Sequence, residues 1–145
     1  MKPIFKLGRL QSIQLVCVFV LGIQTLSFAQ LTIHNNTSCT IYAQASQVDN
    51  SSSQDCTPCN VSSITTIPAG GTWIHPGDAS CGHFRWLAVR WHTQVGGVSG
   101  ISYNPIWQGG CGQSTLGGRC DGRFTYARWN VPSSPGPATV VINEP

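Results

Sequence analysis

Apolar and polar residues alternate over short stretches along most of this chain, and no stretch sustains a 3.6-residue apolar period. Leu31-Thr32-Ile33-His34 alternates as a half-buried strand does, and Asn35-Asn36-Thr37-Ser38 is a turn cluster. From Thr40 to Ala45, Ile41, Ala43 and Ala45 share one face, with Tyr42 on the other. The two runs read as an opening hairpin with a four-residue connection. Val61–Ile67 is rich in β-branched residues and predicts a strand. Thr72–His75 comes after the turn Pro68-Ala69-Gly70-Gly71, and Pro76-Gly77-Asp78 ends it. His83–Thr93 is the longest strand expected, and its mixture of apolar and cationic groups on both faces places it centrally. Val98–Tyr103, Arg123–Trp129 and Ala138–Asn143 complete the set.

The connecting segments are polar or rich in Gly and Pro. Val48–Asn60 reads as a Ser-rich loop, and Asn104–Gly122, with its six glycines, excludes a helix. Val131–Pro137 is a rigid connection. Seven or eight short strands between such turns predict an all-β, disulfide-stapled antiparallel β-sandwich, or a flattened barrel.

The first 29 residues depart from this pattern. Lys2, Lys6 and Arg9 precede an apolar run from Ile13 to Leu26, and Ser27-Phe28-Ala29 comes directly after it. Small residues at −3 and −1 make Ala29–Gln30 a signal-peptidase site. Gln14 and Gln24 interrupt the run, which is shorter than the ~20 residues of a membrane span. Residues 1–29 are therefore expected to be a cleaved signal peptide, and 30–145 one secreted domain, extracellular or periplasmic, with no membrane span after leader removal. The formal charge of +3 belongs to the precursor. After cleavage five arginines (Arg85, Arg90, Arg119, Arg123, Arg128) face five acids, and no lysine remains. A balance near zero argues against a nucleic-acid partner and removes one barrier to self-association.

Export also changes the meaning of the cysteines. Cys17 leaves with the leader, and Cys39, Cys56, Cys59, Cys81, Cys111 and Cys120 remain. An even count in a small exported chain reads as a disulfide framework. Cys111 and Cys120 enclose a short Gly-rich loop and are expected to pair. The other four allow three connectivities, of which Cys39–Cys81 with Cys56–Cys59 has the local pair in its favour. Cys56-Thr57-Pro58-Cys59 has the spacing of a redox dithiol, but the residues after it are strand-like, not helical. A zinc site built from Cys56, Cys59, Cys81 and His83 lacks a second closely spaced pair. Neither a metal nor a cofactor is expected.

Catalytic constellations are sparse. There is no Gly-x-Ser-x-Gly elbow and no HExxH pair. Asp78 and Asp121 lie in turn-rich segments that would have to converge to serve as paired carboxylates. Capping of turns accounts for both. His75 and His83 flank the Asp78–Cys81 loop, with no further pattern. No catalytic residue is assigned.

The tryptophans carry the main hint of binding. Trp73, Trp86, Trp91, Trp107 and Trp129 are many for a small core. Strict alternation puts Trp86 and Trp91 on opposite faces of one strand. An exposed indole beside Arg85 or Arg90 would offer a flat platform and a donor fork, suited to a polyol or a carboxylated sugar. Trp86, Trp91, Arg85 and Arg90 are therefore the candidate ligand residues. The competing reading packs both indoles in the core. Asn35, Asn36, Asn50 and Asn60 each open an Asn-x-Ser/Thr sequon.

Thr32-Ile33-His34-Asn35-Asn36, with Cys39-Thr40-Ile41-Tyr42-Ala43-Gln44-Ala45, resembles the opening of thaumatin-like proteins, in which an apolar strand ending in Asn and Cys leads into an aromatic–Ala strand. Pro68–Ile74 and the Arg85–Arg90 strand are similar in order to the next segments of that family. The likeness covers the first half of residues 30–145. The family's denser cysteine framework and acidic cleft are absent. The resemblance implies a β-sandwich and does not carry over glucan hydrolysis or a specific site. The expectation is a secreted, non-catalytic β-sandwich module for binding or for cell-surface or extracellular-matrix interaction, with a glycan or an extracellular protein surface as its partner. The alternatives are a thaumatin-like domain that binds or weakly hydrolyses glycans, and a self-associating structural subunit.

Overall fold

The computed structural model of the protein describes residues 30–49, 56–81, 84–94, 100–105, 111, 116–131 and 136–145. Residues 1–29, the expected leader, lie outside the described residues, as do His83, Trp107 and the sequon at Asn50. The described chain is all-β, apart from one 3-10 turn at Ala79–Cys81. None of its helices is long and apolar enough to cross a membrane.

Among the described residues ten strands form two sheets. They are β1 (Leu31–Asn36), β2 (Ile41–Asp49), β3 (Asn60–Val61), β4 (Thr65–Ile67), β5 (Thr72–His75), β6 (Phe84–His92), β7 (Gly100–Tyr103), β8 (Leu116–Cys120), β9 (Arg123–Asn130) and β10 (Ala138–Asn143). The first sheet runs β5-β1-β10-β9-β8. The second runs β3-β2-β6-β7, with β4 also paired to β2. β6 is central, between β2 and β7, as its mixed faces require. All pairings are antiparallel except β1 with β10, which run parallel from Leu31↔Ala138 to Asn36↔Asn143. A parallel pair needs a long crossover, and here almost the whole domain supplies it.

The core lies between the sheets. Leu31 and Ile33 of β1 and Ala138, Val140 and Ile142 of β10 face Ile41, Ala43 and Ala45 of β2, Ile67 of β4 and Val89 and Trp91 of β6. This arrangement overturns the expected opening hairpin. β1 pairs with β5 and β10, and β2 pairs with β3, β4 and β6. Each of the two runs has an apolar face, and the two faces are buried against each other across the core. The link between them is held by Asn35, which is 1% exposed. Its Nδ2 donates to the carbonyls of Cys39 at 2.7 Å, Ile67 at 3.0 Å and Pro68 at 2.9 Å, while its Oδ1 accepts from the backbone N–H and hydroxyl of Thr37. One buried amide thus fastens the β1–β2 link to the β4–β5 turn.

One further expectation is corrected, and one segment with no expected element gains a strand. Val61–Ile67 is not one strand: its two ends pair separately with β2, Val61 opposite Ser46 and Thr65–Ile67 opposite Ala43–Ile41. The segment Asn104–Gly122 contains β8, joined to β9 by the two-residue turn Asp121-Gly122. Both turn residues have positive φ, 50° and 81°, as a type I′ hairpin turn needs. β8 tolerates its glycines because the sandwich is pinched there. A Cβ on Gly100 would lie 2.6 Å from Gly117 Cα and 2.7 Å from the Trp91 ring.

Three disulfides join the six cysteines: Cys39–Cys120, Cys56–Cys111 and Cys59–Cys81. The framework belongs to an oxidising, extracellular-type environment. The expected pairs Cys111–Cys120, Cys39–Cys81 and Cys56–Cys59 do not form. Cys120 is fully buried in β8 of the first sheet, whereas Cys111 packs on the outer side of the second, beside Leu87 and Ala88. Closeness in sequence therefore puts those two sulfurs on different layers.

Candidate functional site

The second sheet carries a groove on its outer face. Two rungs of directly opposed residues build it. One is Gln44–Arg90–Ile101, across β2, β6 and β7. The next is Val61–Ser46–Ala88–Tyr103, across β3, β2, β6 and β7. Small Ser46 and Ala88 stand between taller Val61 and Tyr103, which leaves a hollow. With strands about 4.8 Å apart, its two walls rise from backbones roughly 14 Å apart. Leu87, Pro58 and Cys56, bonded to Cys111, complete the lining. The groove encloses ≈ 220 Å³.

The floor depends on an irregularity in β6. Ser46 pairs with Ala88 but Gln47 pairs with Trp86, so Leu87 is an extra residue, a β-bulge. Leu87 then packs with Ala88 and Val48 on the outer side, together with Ile101 and Tyr103. Asn104 secures the bulge. Its backbone N–H donates to Leu87 O at 2.8 Å and its Nδ2 to Trp86 O at 3.0 Å.

The same bulge decides the fate of the tryptophans. Strict alternation would turn Trp86 outward, but the extra residue returns it to the inner face. Trp86 is 2% exposed and Trp91 0%. The platform expected from Trp86 or Trp91 is therefore absent, and both indoles are core. Trp91 Nε1 donates to Thr125 Oγ1 at 2.8 Å, and that hydroxyl donates to Gly117 O. Trp73 is half-buried against the edge of His75, and Trp129 Nε1 donates to Ser102 Oγ. The two candidate arginines separate. Arg90 is exposed at one end of the groove. Arg85 lies opposite Val48, half-buried, and is not part of the lining.

The residues weighed for catalysis do not converge. Asp78 follows β5 at the Leu31 end of β1, whereas Asp121 meets Ser38, beyond the other end. Asp78 is a capping aspartate: its Oδ1 accepts from Ser80 N–H at 2.8 Å and its Oδ2 from Asn60 Nδ2 at 2.9 Å. The backbone N–H and hydroxyl of Ser80 hold its carboxyl below the ordinary carboxylate range. His75 Nδ1 accepts from Gly77 N–H at 2.9 Å. Burial pushes this imidazole below its ordinary value, and the Asp78 charge opposes the shift. Ser38 Oγ sits at 3.0 Å from Asp121 Oδ2 and 3.2 Å from Glu144 Oε2, and its single proton serves one of them at a time. Cys39, Cys120 and Asp121 cluster, but both sulfurs are spent in a disulfide. So are Cys56, Cys59 and Cys81, the sulfurs considered for zinc or redox work.

The sequons also separate. Asn35 is buried with its Nδ2 committed to three carbonyls. Asn60 Nδ2 donates to Gln47 Oε1 and Asp78 Oδ2. Asn36 is exposed and bonds Asn143 Oδ1.

Sequence reasoning missed Gln44, Ser46, Ile101 and Tyr103. A signal existed in the small residues Ser46 and Ala88 on adjacent strands, but using it required the register. No family model, no curated protein and no solved structure matches this chain.

Proposed function

We propose that this chain is a secreted, non-catalytic β-sandwich module that binds an extracellular glycan in the outer groove of its second sheet. The observation that carries the reading is the groove itself: a hollow on a rigid sheet, lined by Gln44, Ser46, Arg90 and Tyr103 over an apolar floor. Polar groups that converge on one hollow beside apolar side chains can fix the orientation of a small ligand by hydrogen bonds. The leader pattern and the disulfide framework support export. The thaumatin-like likeness in the first half of the domain speaks for the sandwich and for no particular ligand. The self-association reading rests on the free edge of β5 and on Ile74, which is 56% exposed. That edge spans four residues and is followed by Pro76, a poor template for strand addition.

A glycan array with the purified protein tests the proposal, run beside Ser46→Tyr, which fills the hollow from the solvent side. The expected result is a restricted set of glycans bound by the wild type and weakened at least tenfold by the substitution, with an unchanged melting temperature. Equal binding by both proteins, or no glycan bound at all, overturns it.

A further inference from the structure

We infer that the groove takes a single acidic sugar residue, with the ring carboxylate on Arg90; this rests on the glycan-binding reading above. Among the described residues Arg90 is the charged one lining the groove, and none of them brings a carboxylate to it. It makes no hydrogen bond or ion pair with the described residues. An exposed guanidinium without a partner presents a planar donor fork, which matches a carboxylate bidentately.

The neighbours of Arg90 set the rest of the ligand. Gln44 is directly opposite it, and Gln44 Nε2 is committed to Ser62 O at 2.9 Å, so Oε1 is the atom left to accept. Ser46, one rung away on the same face, supplies a hydroxyl that both donates and accepts. Tyr103 contributes an aromatic wall with a phenol at its tip, and Leu87, Ala88 and Ile101 an apolar floor. One anion, several hydroxyls and an apolar ring face on the same small ligand satisfy this set.

Size and backbone geometry choose between sugar and peptide. At ≈ 220 Å³ the groove is smaller than the ~300–1,000 Å³ typical of drug-sized ligands, so one ring fills it. Extended peptides gain affinity by pairing their main chain with a free sheet edge. The groove lies on the face of the sheet, over β2 and β6, whose backbones are paired on both sides. An acidic peptide finds no ladder there.

Titration calorimetry with a hexuronate oligosaccharide and with its fully methyl-esterified form tests the inference, on the wild type, Arg90→Gln and Ser46→Tyr. The acid form is expected to bind the wild type at least tenfold more tightly than the ester. Arg90→Gln should lower the acid form to the level of the ester and leave the ester unchanged. Ser46→Tyr should abolish both. If acid and ester bind the wild type equally, the acidic-sugar inference falls while the glycan-binding reading stands. If an acidic peptide displaces the oligosaccharide at equal concentration, the inference also falls. If the acid form binds but Ser46→Tyr leaves it unaffected, the exposed arginines elsewhere are responsible, and both the inference and the groove reading fail.

Discussion

His75 shows how one side chain couples local packing to pH. It lies edge-on to Trp73 and to Trp86, with ring centroids 5.3 Å from each. Its Nδ1 accepts a hydrogen bond from Gly77 N–H, so the neutral ring carries its proton on Nε2. Protonation places a second hydrogen against that N–H and a charge between two indoles. Burial accordingly lowers its affinity for a proton, with Asp78 in partial opposition. The unfolded chain, with an ordinary pKa of about 6.5, then binds the proton more readily than the folded one. Stability should fall as the pH drops through that value, and level off below the folded-state value. Asp78, held below its ordinary range by Ser80, should add a second loss at still lower pH. Urea midpoints between pH 8 and 2 should show both steps, the second below the ordinary aspartate value of 3.8, and His75→Gln should remove the first. An identical profile in the variant would discount the role of His75. The sequence brings His75 to attention through its place beside the Asp78–Cys81 loop, but its role depends on Trp86, which strict alternation turns the other way.

At the scale of elements, the bulge at Leu87 settles both the core and the groove. The strand His83–Thr93 was legible as central, and the pairing of β6 between β2 and β7 agrees. Its faces were not legible, because one inserted residue exchanges inner and outer positions for the rest of the strand. No residue type marks the insertion, since Leu87 and Ala88 are ordinary strand residues. Asn104 fixes it, more than a dozen residues later and beyond the end of the expected strand Val98–Tyr103. The Asp121-Gly122 turn, by contrast, was open to reading as a hairpin signal. The glycines around it hid β8, whose small residues are required by the close approach of Gly100. Asn104→Ala removes the hydrogen bond to Trp86 O and leaves that buried carbonyl without this donor. A loss of about 1–3 kcal/mol is expected, read by urea denaturation. Trp86 should also become accessible to iodide, measured against a Trp86→Phe control. Unchanged stability together with full protection would show that the bulge holds itself.

Across the whole molecule, the count and oxidation of the cysteines were legible and their partners were not. Pairing by proximity in sequence assumes that neighbours along the chain stay on one layer. Here the chain changes sheet between β1 and β2, β4 and β5, β5 and β6, and β7 and β8. Each bond consequently spans a long stretch: 81, 55 and 22 residues for Cys39–Cys120, Cys56–Cys111 and Cys59–Cys81. Long loops constrain the unfolded chain more, by about 4–5 kcal/mol for the first and about 3 for the last in the chain-entropy picture. Loss of Cys39–Cys120 in a paired Ala variant should therefore lower stability more than loss of Cys59–Cys81. The arginines make it directly testable whether Cys111 and Cys120 pair with each other or each reach across to the first four cysteines. Cys39, Cys56, Cys59 and Cys81 all precede Arg85, Cys111 lies between Arg90 and Arg119, and Cys120 between Arg119 and Arg123. Cleavage after arginine, without reductant and under denaturing conditions, should leave those three peptides joined as one species that separates on reduction. Pairing of Cys111 with Cys120 would instead release the peptide ending at Arg85 free of the other two. Finding that free peptide in a digest kept at acidic pH, where thiol exchange is slow, would refute the cross-layer framework and, with it, the tether that closes one end of the groove through Cys56–Cys111.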